Sequence, residues 1–266
     1  MLIVGERINT SRKLVNQAVA DRDVQYIQAD VKSQSESGAD LIDVNAGSRR
    51  KSEVDDLSWL IDVVQEALPQ ARLCIDSPNP GTLKAVLAKA EHTPMLNSTT
   101  LEKSRFEAMA PIIQSRECDI VALCIDDRGI PKSAEQALEN ASRLILDLEG
   151  LGVKRERIYL DPIIQAVSTN TNAALMVLET IERIRQAFKG VNVICGLSNI
   201  SFGLPLRPLV NRAFLSLAMR AGLNAAILDP LDRKLMSIVR ATNVLLGQDP
   251  WCQAYTRAFR ENKLEM

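Results

Sequence analysis

Eight short apolar runs punctuate the chain: LIVG at 2–5, LIDVN at 41–45, RLCID at 72–76, PMLNS at 94–98, DIVALCID at 119–126, IYLDP at 158–162, NVICG at 192–196 and AAILDP at 225–230. They are rich in β-branched residues, mostly too short for a helix, and lack strict apolar–polar alternation. That combination predicts strands buried on both faces, as in a parallel sheet. The segments between them carry helical spacing. Over 52–68, Val54, Leu57, Leu60, Ile61 and Val64 fall on one stripe, with Asp55, Asp56, Asp62 and Glu66 largely elsewhere. Leu175, Leu178, Ile181 and Ile184 repeat the pattern over 172–188, and further helices are expected over 214–219 and 235–246. Gly38, Gly150, Gly190, Gly222 and Gly247 stand where helices end, as C-terminal caps require.

Eight strand–helix units in 266 residues leave about 33 residues for each, the economy of a (β/α)8 TIM barrel. No Pro/Gly/Ser-rich linker divides the chain, so residues 1–266 are read as one α/β domain. An open doubly wound sheet would more typically carry a GxGxxG turn after its first strand. Here that turn reads GERINTSRK. The tail, 248–266, predicts a short extra helix with Trp251, Tyr255 and Phe259 on one stripe, packed on the outside or bottom of the barrel. A partner surface is the second reading of that stripe.

Composition narrows the function. A chain that is 46% hydrophobic can bury a sizeable core. A net charge of -1 and a pI of about 6.0 argue against binding nucleic acid, which draws on a basic face. No apolar run approaches the ~18 residues of a membrane span, and Met1 leads straight into a strand-like run with no signal or transit pattern. The simplest reading is a soluble cytoplasmic protein. The five cysteines include no CxxC pair, and Cys74, Cys124 and Cys195 lie in apolar runs, so they are expected as buried hydrophobes rather than disulfides or zinc ligands. The one histidine, His92, lends little support to a histidine base.

The chemistry collects where the strands end. Glu6 and Asn9 follow the first strand, and Asp43 and Asn45 end the second. Asp76 ends the third and Asn97 the fourth, followed by Asp126 and Asp127, Asp161, Asn199 and Asp229 in turn. Asp and Asn are poor strand residues, although they also cap the helices that follow. In a barrel of this kind the active site lies at the C-terminal face, so the set reads as a ring around one ligand. Zinc or iron would call for histidine or cysteine, and Mg2+ stays open. Arg7, Arg207 and Arg212 are too scattered to define a phosphate site. An aminated heterocycle fits better, its N–H groups read by carboxylates and its carbonyl by amides.

The motifs VGERIN–TSRK, DVNAG, CIDSPN, LNST, YLDP and GLSNISFGLP–RPLVNRAF occur in order along nearly the whole chain. Together they resemble the pterin-binding methyltransferase family. Its members include the methyltetrahydrofolate–corrinoid iron–sulfur protein methyltransferase and the folate domain of cobalamin-dependent methionine synthase. The resemblance implies a pterin-binding (β/α)8 barrel with tetrahydrofolate or 5-methyltetrahydrofolate as substrate. It implies that Asp76, Asn97 and Asp161 hydrogen-bond the pterin, with Glu6, Asn9, Asp43, Asn45, Gly196 and Ser198 completing the folate site. Asn199 matches the asparagine near N5, and Arg207 is placed to meet the aminobenzoate part or the loop around it. Phe202 and Gly203 stand on the rim that a corrinoid would approach, and the FGLP and TSRK segments follow the methionine-synthase version of these loops.

The resemblance further implies methyl transfer between N5 and the cobalt of a corrinoid (cobalamin), without a protein nucleophile or a bound metal. Corrinoid modules of this class carry an Asp-x-His-x-x-Gly loop, which KAEHTP around His92 does not match. A separate corrinoid protein is therefore expected to supply the cofactor in trans, and family members are commonly homodimers. The direction of transfer, the corrinoid partner and the upstream methyl donor stay open. The alternatives are a dihydropteroate synthase-like enzyme, whose Asn-x-Thr-Pro-Asp-Ser-Phe loop is not matched after the first strand, and a non-catalytic folate-binding or corrinoid-docking protein.

Overall fold

In the computed structural model, which describes residues 1–266, every apolar run becomes a strand of one parallel sheet. The strands are β1 (Leu2–Asn9), β2 (Leu41–Asn45), β3 (Arg72–Asp76), β4 (Met95–Thr99), β5 (Asp119–Leu123), β6 (Ile158–Asp161), β7 (Asn192–Val193) and β8 (Ala225–Leu228). Their order is β7-β6-β5-β4-β3-β2-β1-β8, so each pairs with its sequence neighbour and β8 pairs with β1. The ring closes past the short β7. Asn224 N–H donates to the Val193 carbonyl at 3.3 Å and Ile227 N–H to that of Cys195 at 2.9 Å, and Gly196 bridges Ile227.

Helices alternate with the strands: α1 (Lys13–Asp21) and α2 (Val24–Glu36) follow β1. Then α3 (Glu53–Ala67), α4 (Pro80–Val86), α5 (Lys103–Ser115), α6 (Ala134–Gly150), α7 (Ala173–Ala187), α8 (Arg207–Ala221) and α9 (Arg233–Leu245) follow β2 to β8 in turn. Side chains of Asp23, Asn79, Ser133 and Asp232 accept backbone N–H groups in the first turns of α2, α4, α6 and α9. Each such cap satisfies a donor that the helix itself cannot. The architecture is the (β/α)8 barrel.

Because helices cover the outer face of every strand, the two faces of the sheet fill different spaces. Outward residues such as Ile3, Ile42, Leu73, Ile120 and Leu160 join the helical stripes in one large core. The inward faces form a separate cluster of eight with one residue from each strand or its continuation: Val4, Leu41, Cys74, Met95, Val121, Tyr159, Ile194 and Ala225. This layer is a solid floor across the barrel. Burying a large apolar side chain of this kind contributes about 1.5–3 kcal/mol.

Several expectations need correction. In α3, Leu57, Leu60, Ile61 and Val64 are buried, but Val54 is exposed and Asp56 lies inside. Asp56 is drawn in by Arg49 and Arg22 and by the Ser52 hydroxyl, which donates to it at 2.6 Å. In α7, Leu175 points to solvent while Val177, Ile181 and Ile184 face the core. Gly150 is the last residue of α6, and the positive φ falls on Gly152 instead.

The strand at 119–126 stops at Leu123. The tail does form α10 (Gln253–Arg260), but it presents its aromatic stripe outward, with Trp251 91% exposed and Phe259 68%. Trp251 and Cys252 both take positive φ, which rolls the helix so that Ala258 is its buried residue. Cys74, Cys118, Cys124 and Cys195 are buried free thiols, while Cys252 is exposed. No helix is long and apolar enough to cross a membrane.

Candidate active site

Strand side chains alternate, so the next inward position lies two residues beyond each member of the floor. Those positions are Glu6, Asp43, Asp76, Asn97, Leu123, Asp161, Gly196 and Ile227. The floor is apolar throughout, while the layer above it brings four carboxyl groups and an amide together at the C-terminal mouth. Two register slips adjoin this layer, between Gly5 and Ile8 on β1 and between Asn97 and Thr99 on β4. Bulges of this kind re-aim side chains beside active sites. On β1 the slip leaves Glu6 facing the mouth, while Arg7 turns out to bond Asp30 and Asp229, both at 2.8 Å.

Crowding acids in a poorly solvated layer disfavours their charged forms. Burial pushes the Glu6 carboxyl up to about 7, with Asp229 adding to the effect and Arg12 and Arg207 opposing it. Burial also takes Asp161 to about 7, against the Ile163 N–H that donates to it at 2.8 Å. Asp76 rises to about 6, again through burial, opposed by the Asn45 amide at 2.7 Å and by Arg105. Asp43 is driven well above the carboxylate range by burial and by Asp76, and its Oδ1 has no hydrogen-bond partner. Such a site gains most from a ligand rich in N–H donors, which would favour the carboxylates' charged forms.

Asn199 reaches the same layer by a different route. It lies in a 3-10 turn, Leu197–Ser201, after the β7 continuation. Its side chain folds back over Gly196, so a β-carbon on Gly196 would sit 3.1 Å from Asn199 Nδ2. Glycine is needed here for that close approach, not for its φ of -75°. The turn is held from behind. The Arg207 guanidinium donates to the Ser198 carbonyl at 2.7 Å and to the Ser201 hydroxyl at 3.1 Å, and stacks 5.9 Å from the Phe202 ring centroid. Phe202 is 66% exposed, and Gly203 beside it has a φ of +80°.

The remaining members of the expected ring separate into supports and bystanders. Asn45 donates to Asp76 while its Oδ1 accepts the Gly47 N–H at 2.8 Å, so it orients a carboxylate and shapes a turn. Asn9 accepts the Ser11 N–H at 2.9 Å and forms the turn after β1. Asp229 is occupied by Arg7 and Arg12 and by the Leu231 N–H. Asp126 lies beyond the end of β5, bound by Arg128 and Arg143, and Asp127 accepts the Lys103 N–H. Asp126, Asp127 and Asp229 therefore stand outside the inward layer. The strand ends at Leu123, before Asp126 and Asp127, and Asp229 faces Arg7 and Arg12.

Arg105 escaped sequence reasoning. Its guanidinium donates to the carbonyls of Ser98, Pro78 and Ser77, tying the loop after β3 to the end of β4 beside Asp76. Nothing in KSRFE distinguishes it from a solvated helix residue. The buried Glu53 is likewise a support, accepting from the hydroxyls of Ser77 and Thr82. A polar cleft of about 640 Å3, lined by Arg72, His92, Lys154 and Arg157, opens at the opposite end of the barrel. There Arg72 and Arg157 are spent on Asp119.

The mouth of the barrel thus carries an acid-and-amide layer with an asparagine turn above it. Residues 5–229 match the family of pterin binding enzymes, and the chain belongs to that family. It is 36% identical over 266 residues to a methylcorrinoid:tetrahydrofolate methyltransferase of Eubacterium limosum, covering 99% of this chain and 98% of that protein. It is 31% identical over 242 residues to a methionine synthase of Mycobacterium tuberculosis, a match spanning 85% of this chain and 20% of that longer protein. Among solved structures, dihydropteroate synthase of Xanthomonas albilineans with 4-aminobenzoic acid superposes with a TM-score of 0.67 at 17% identity, over 94% of this chain and 92% of that one. Dihydropteroate synthase of Yersinia pestis gives 0.65 at 13%, over 93% and 92%. At such identities these two structures establish the fold alone.

Proposed function

We propose that the chain is a methyltransferase that moves a methyl group between a corrinoid carried by a separate protein and N5 of tetrahydrofolate. The observation that carries this reading is the acid-and-amide layer with the Asn199 amide folded over its Gly196 position. Asp76, Asn97 and Asp161 would hold the pterin, the carboxylates accepting its N–H groups and the Asn97 amide serving as donor and acceptor. Glu6 and Asp43 back this layer, Asn45 orients Asp76, Asn9 shapes the turn after β1, and Gly196 and Ser198 frame the approach to N5. The direction follows the name of the 36% identical relative, from methylcorrinoid to tetrahydrofolate.

A corrinoid held by the separate protein would supply an electrophilic methyl group to N5 and keep the electron pair of its cobalt–carbon bond. The Asn199 amide can accept from an N5–H group or donate to an N5 lone pair, so one contact serves either direction and follows the proton that N5 loses or gains. Preorganised dipoles aimed at developing charge are worth most in a water-poor site. Phe202 and Gly203 form the rim facing the corrinoid protein. The reading includes a homodimer in the cytoplasm.

The test is the purified chain with tetrahydrofolate and methylcobalamin, or with methyltetrahydrofolate and free cob(I)alamin. Formation of the methylated product supports the reading. Tight folate binding with no transfer would leave a folate-binding or docking protein. The alternative is the chemistry of dihydropteroate synthase, but GERINTSRK, which runs from β1 into the following turn, lacks the Asn-x-Thr-Pro-Asp-Ser-Phe loop expected for it. Condensation of a pterin pyrophosphate with aminobenzoate would establish it instead.

A further inference from the structure

The 3-10 turn bearing Asn199 is tied to its surroundings at several points, and none of these ties involves Asn199's own side chain. From one side comes the loop that starts at Asp161. Its Ser168 hydroxyl donates to the Phe202 carbonyl at 2.6 Å, and Val167 N–H donates to the Ile200 carbonyl at 3.1 Å. Gly203 fits this crossing in two ways: its φ is +80°, and a β-carbon there would stand 3.1 Å from Ser168 Oγ. From the other side comes Arg207, swung back toward the turn by Leu206 at a φ of 49°. It holds the Ser198 carbonyl and the Ser201 hydroxyl, one residue before and two after Asn199.

The loop that supplies Ser168 is itself under strain at its root. Ile163, a β-branched residue, sits at a φ of 64°, with its N–H bound to Asp161. A β-branched side chain in the left-handed region costs on the order of 1–3 kcal/mol and persists where surrounding contacts enforce it. Asp161 thus anchors one end of a strap whose other end rests on the Asn199 turn.

The geometry points to Ser168 and Arg207 as positioning residues that clamp the turn between them and so set where the Asn199 amide stands over the mouth. Arg207 then acts through the turn rather than by gripping the aminobenzoate part of the folate. The clamp deepens the proposed methyl transfer and rests on it for its effect on rate. A lone hydrogen bond of this kind is worth little to global stability, and Ser168 is exposed, so its loss should leave the barrel folded.

The test is Ser168→Ala, Ser168→Thr and Arg207→Ala in the full chain, followed in three readouts: transfer from methylcobalamin to tetrahydrofolate, equilibrium folate affinity, and the NMR signals of the Asn199 side-chain amide. Ser168→Ala should lower turnover roughly three- to tenfold at saturating folate, the rate equivalent of one hydrogen bond. Folate Kd should stay within about twofold, and Ser168→Thr should restore the rate. Arg207→Ala should behave likewise with a larger loss, and both alanine variants should shift or broaden the Asn199 amide signals. A folate Kd that rises in step with the lost turnover in Arg207→Ala would make Arg207 a ligand contact and overturn its part in the clamp. Unmoved Asn199 signals in Ser168→Ala would overturn the clamp as a whole. If wild type transfers no methyl while those signals still respond, the methyltransferase reading falls and the clamp stands.

Discussion

Two layers of the barrel interior lie two residues apart on the same strands and have opposite chemistry. The lower one, Val4 to Ala225, is apolar and buried. The upper one carries Glu6, Asp43, Asp76, Asn97 and Asp161. The lower layer contributes to stability by burying hydrocarbon. The upper layer opposes it, because burial raises its acids by more than the nearby Arg12, Arg207 and Arg105 lower them. Substitutions should therefore separate cleanly: floor variants lose stability and keep ligand chemistry, while upper-layer variants do the reverse.

The largest expected effect is on the floor. Met95 is fully buried, and Met95→Ala should cost about 2–5 kcal/mol in urea unfolding. The fraction that stays folded should bind folate with unchanged Kd, and a parallel loss of affinity would break the division between layers. Next comes Asn199→Ala, expected to cut turnover about 10²- to 10³-fold, as loss of a preorganised donor does. Its folate affinity and melting temperature should barely move. Gly196→Ala sharpens the same point. Its new β-carbon would press on the Asn199 amide, so turnover should drop about 10- to 100-fold through misplacement alone.

Asp161→Asn should move two measurements in opposite directions. Losing a charged acceptor should weaken folate binding about tenfold or more. The ligand-free protein at pH 8 should meanwhile unfold at higher denaturant, since a buried carboxylate no longer needs to ionise.

The smallest effect is the pH dependence of the ligand-free protein. Glu6, Asp76 and Asp161 have folded-state values raised to about 7, 6 and 7, so the folded chain holds more protons than the unfolded one. Their contribution is therefore fully present below about pH 4 and is lost as pH rises through about 6 to 7. Asp56, lowered against its burial by the Ser52 hydroxyl and by Arg49 and Arg22, and Asp126, lowered by Arg128 and Arg143, work the other way and lose their contribution in acid. Urea midpoints should fall between about pH 5 and pH 8, and the slope should flatten in Asp161→Asn. Folate binding near pH 6 should release protons, measurable by calorimetry in buffers of different ionisation heat.

Much of the fold was legible because its signals are local. A parallel strand covered on both faces reads as a mainly apolar run without strict alternation, and all eight runs became strands. Errors arose where burial depended on a distant partner. Asp56 enters the protein because Arg22 and Arg49 meet it there, and Val54 is left outside. The aromatic stripe of α10 faces outward because of two positive-φ residues before it, which residue spacing could not show. The candidate site followed the same rule. Its inward members sat at strand ends, where carboxylates are conspicuous against apolar runs, while Arg105 and Ser168 act on backbone carbonyls from helix and loop positions that look ordinary in a sequence.

What the chain determined by itself was periodicity. Alternation along each strand already set Val4 against Glu6, Leu41 against Asp43 and Tyr159 against Asp161, because a strand's side chains repeat every second residue. Only the tertiary structure decided which polar residues share one layer, since that depends on register and on bulges at Glu6–Arg7 and Ser98. It also decided that Asp126, Asp127 and Asp229 stand apart, and that Asn199 comes back to the layer by folding onto a glycine. Closing a sheet into a ring fixes the height of every strand against its neighbours, and that height is a property of long-range pairing which no single segment carries.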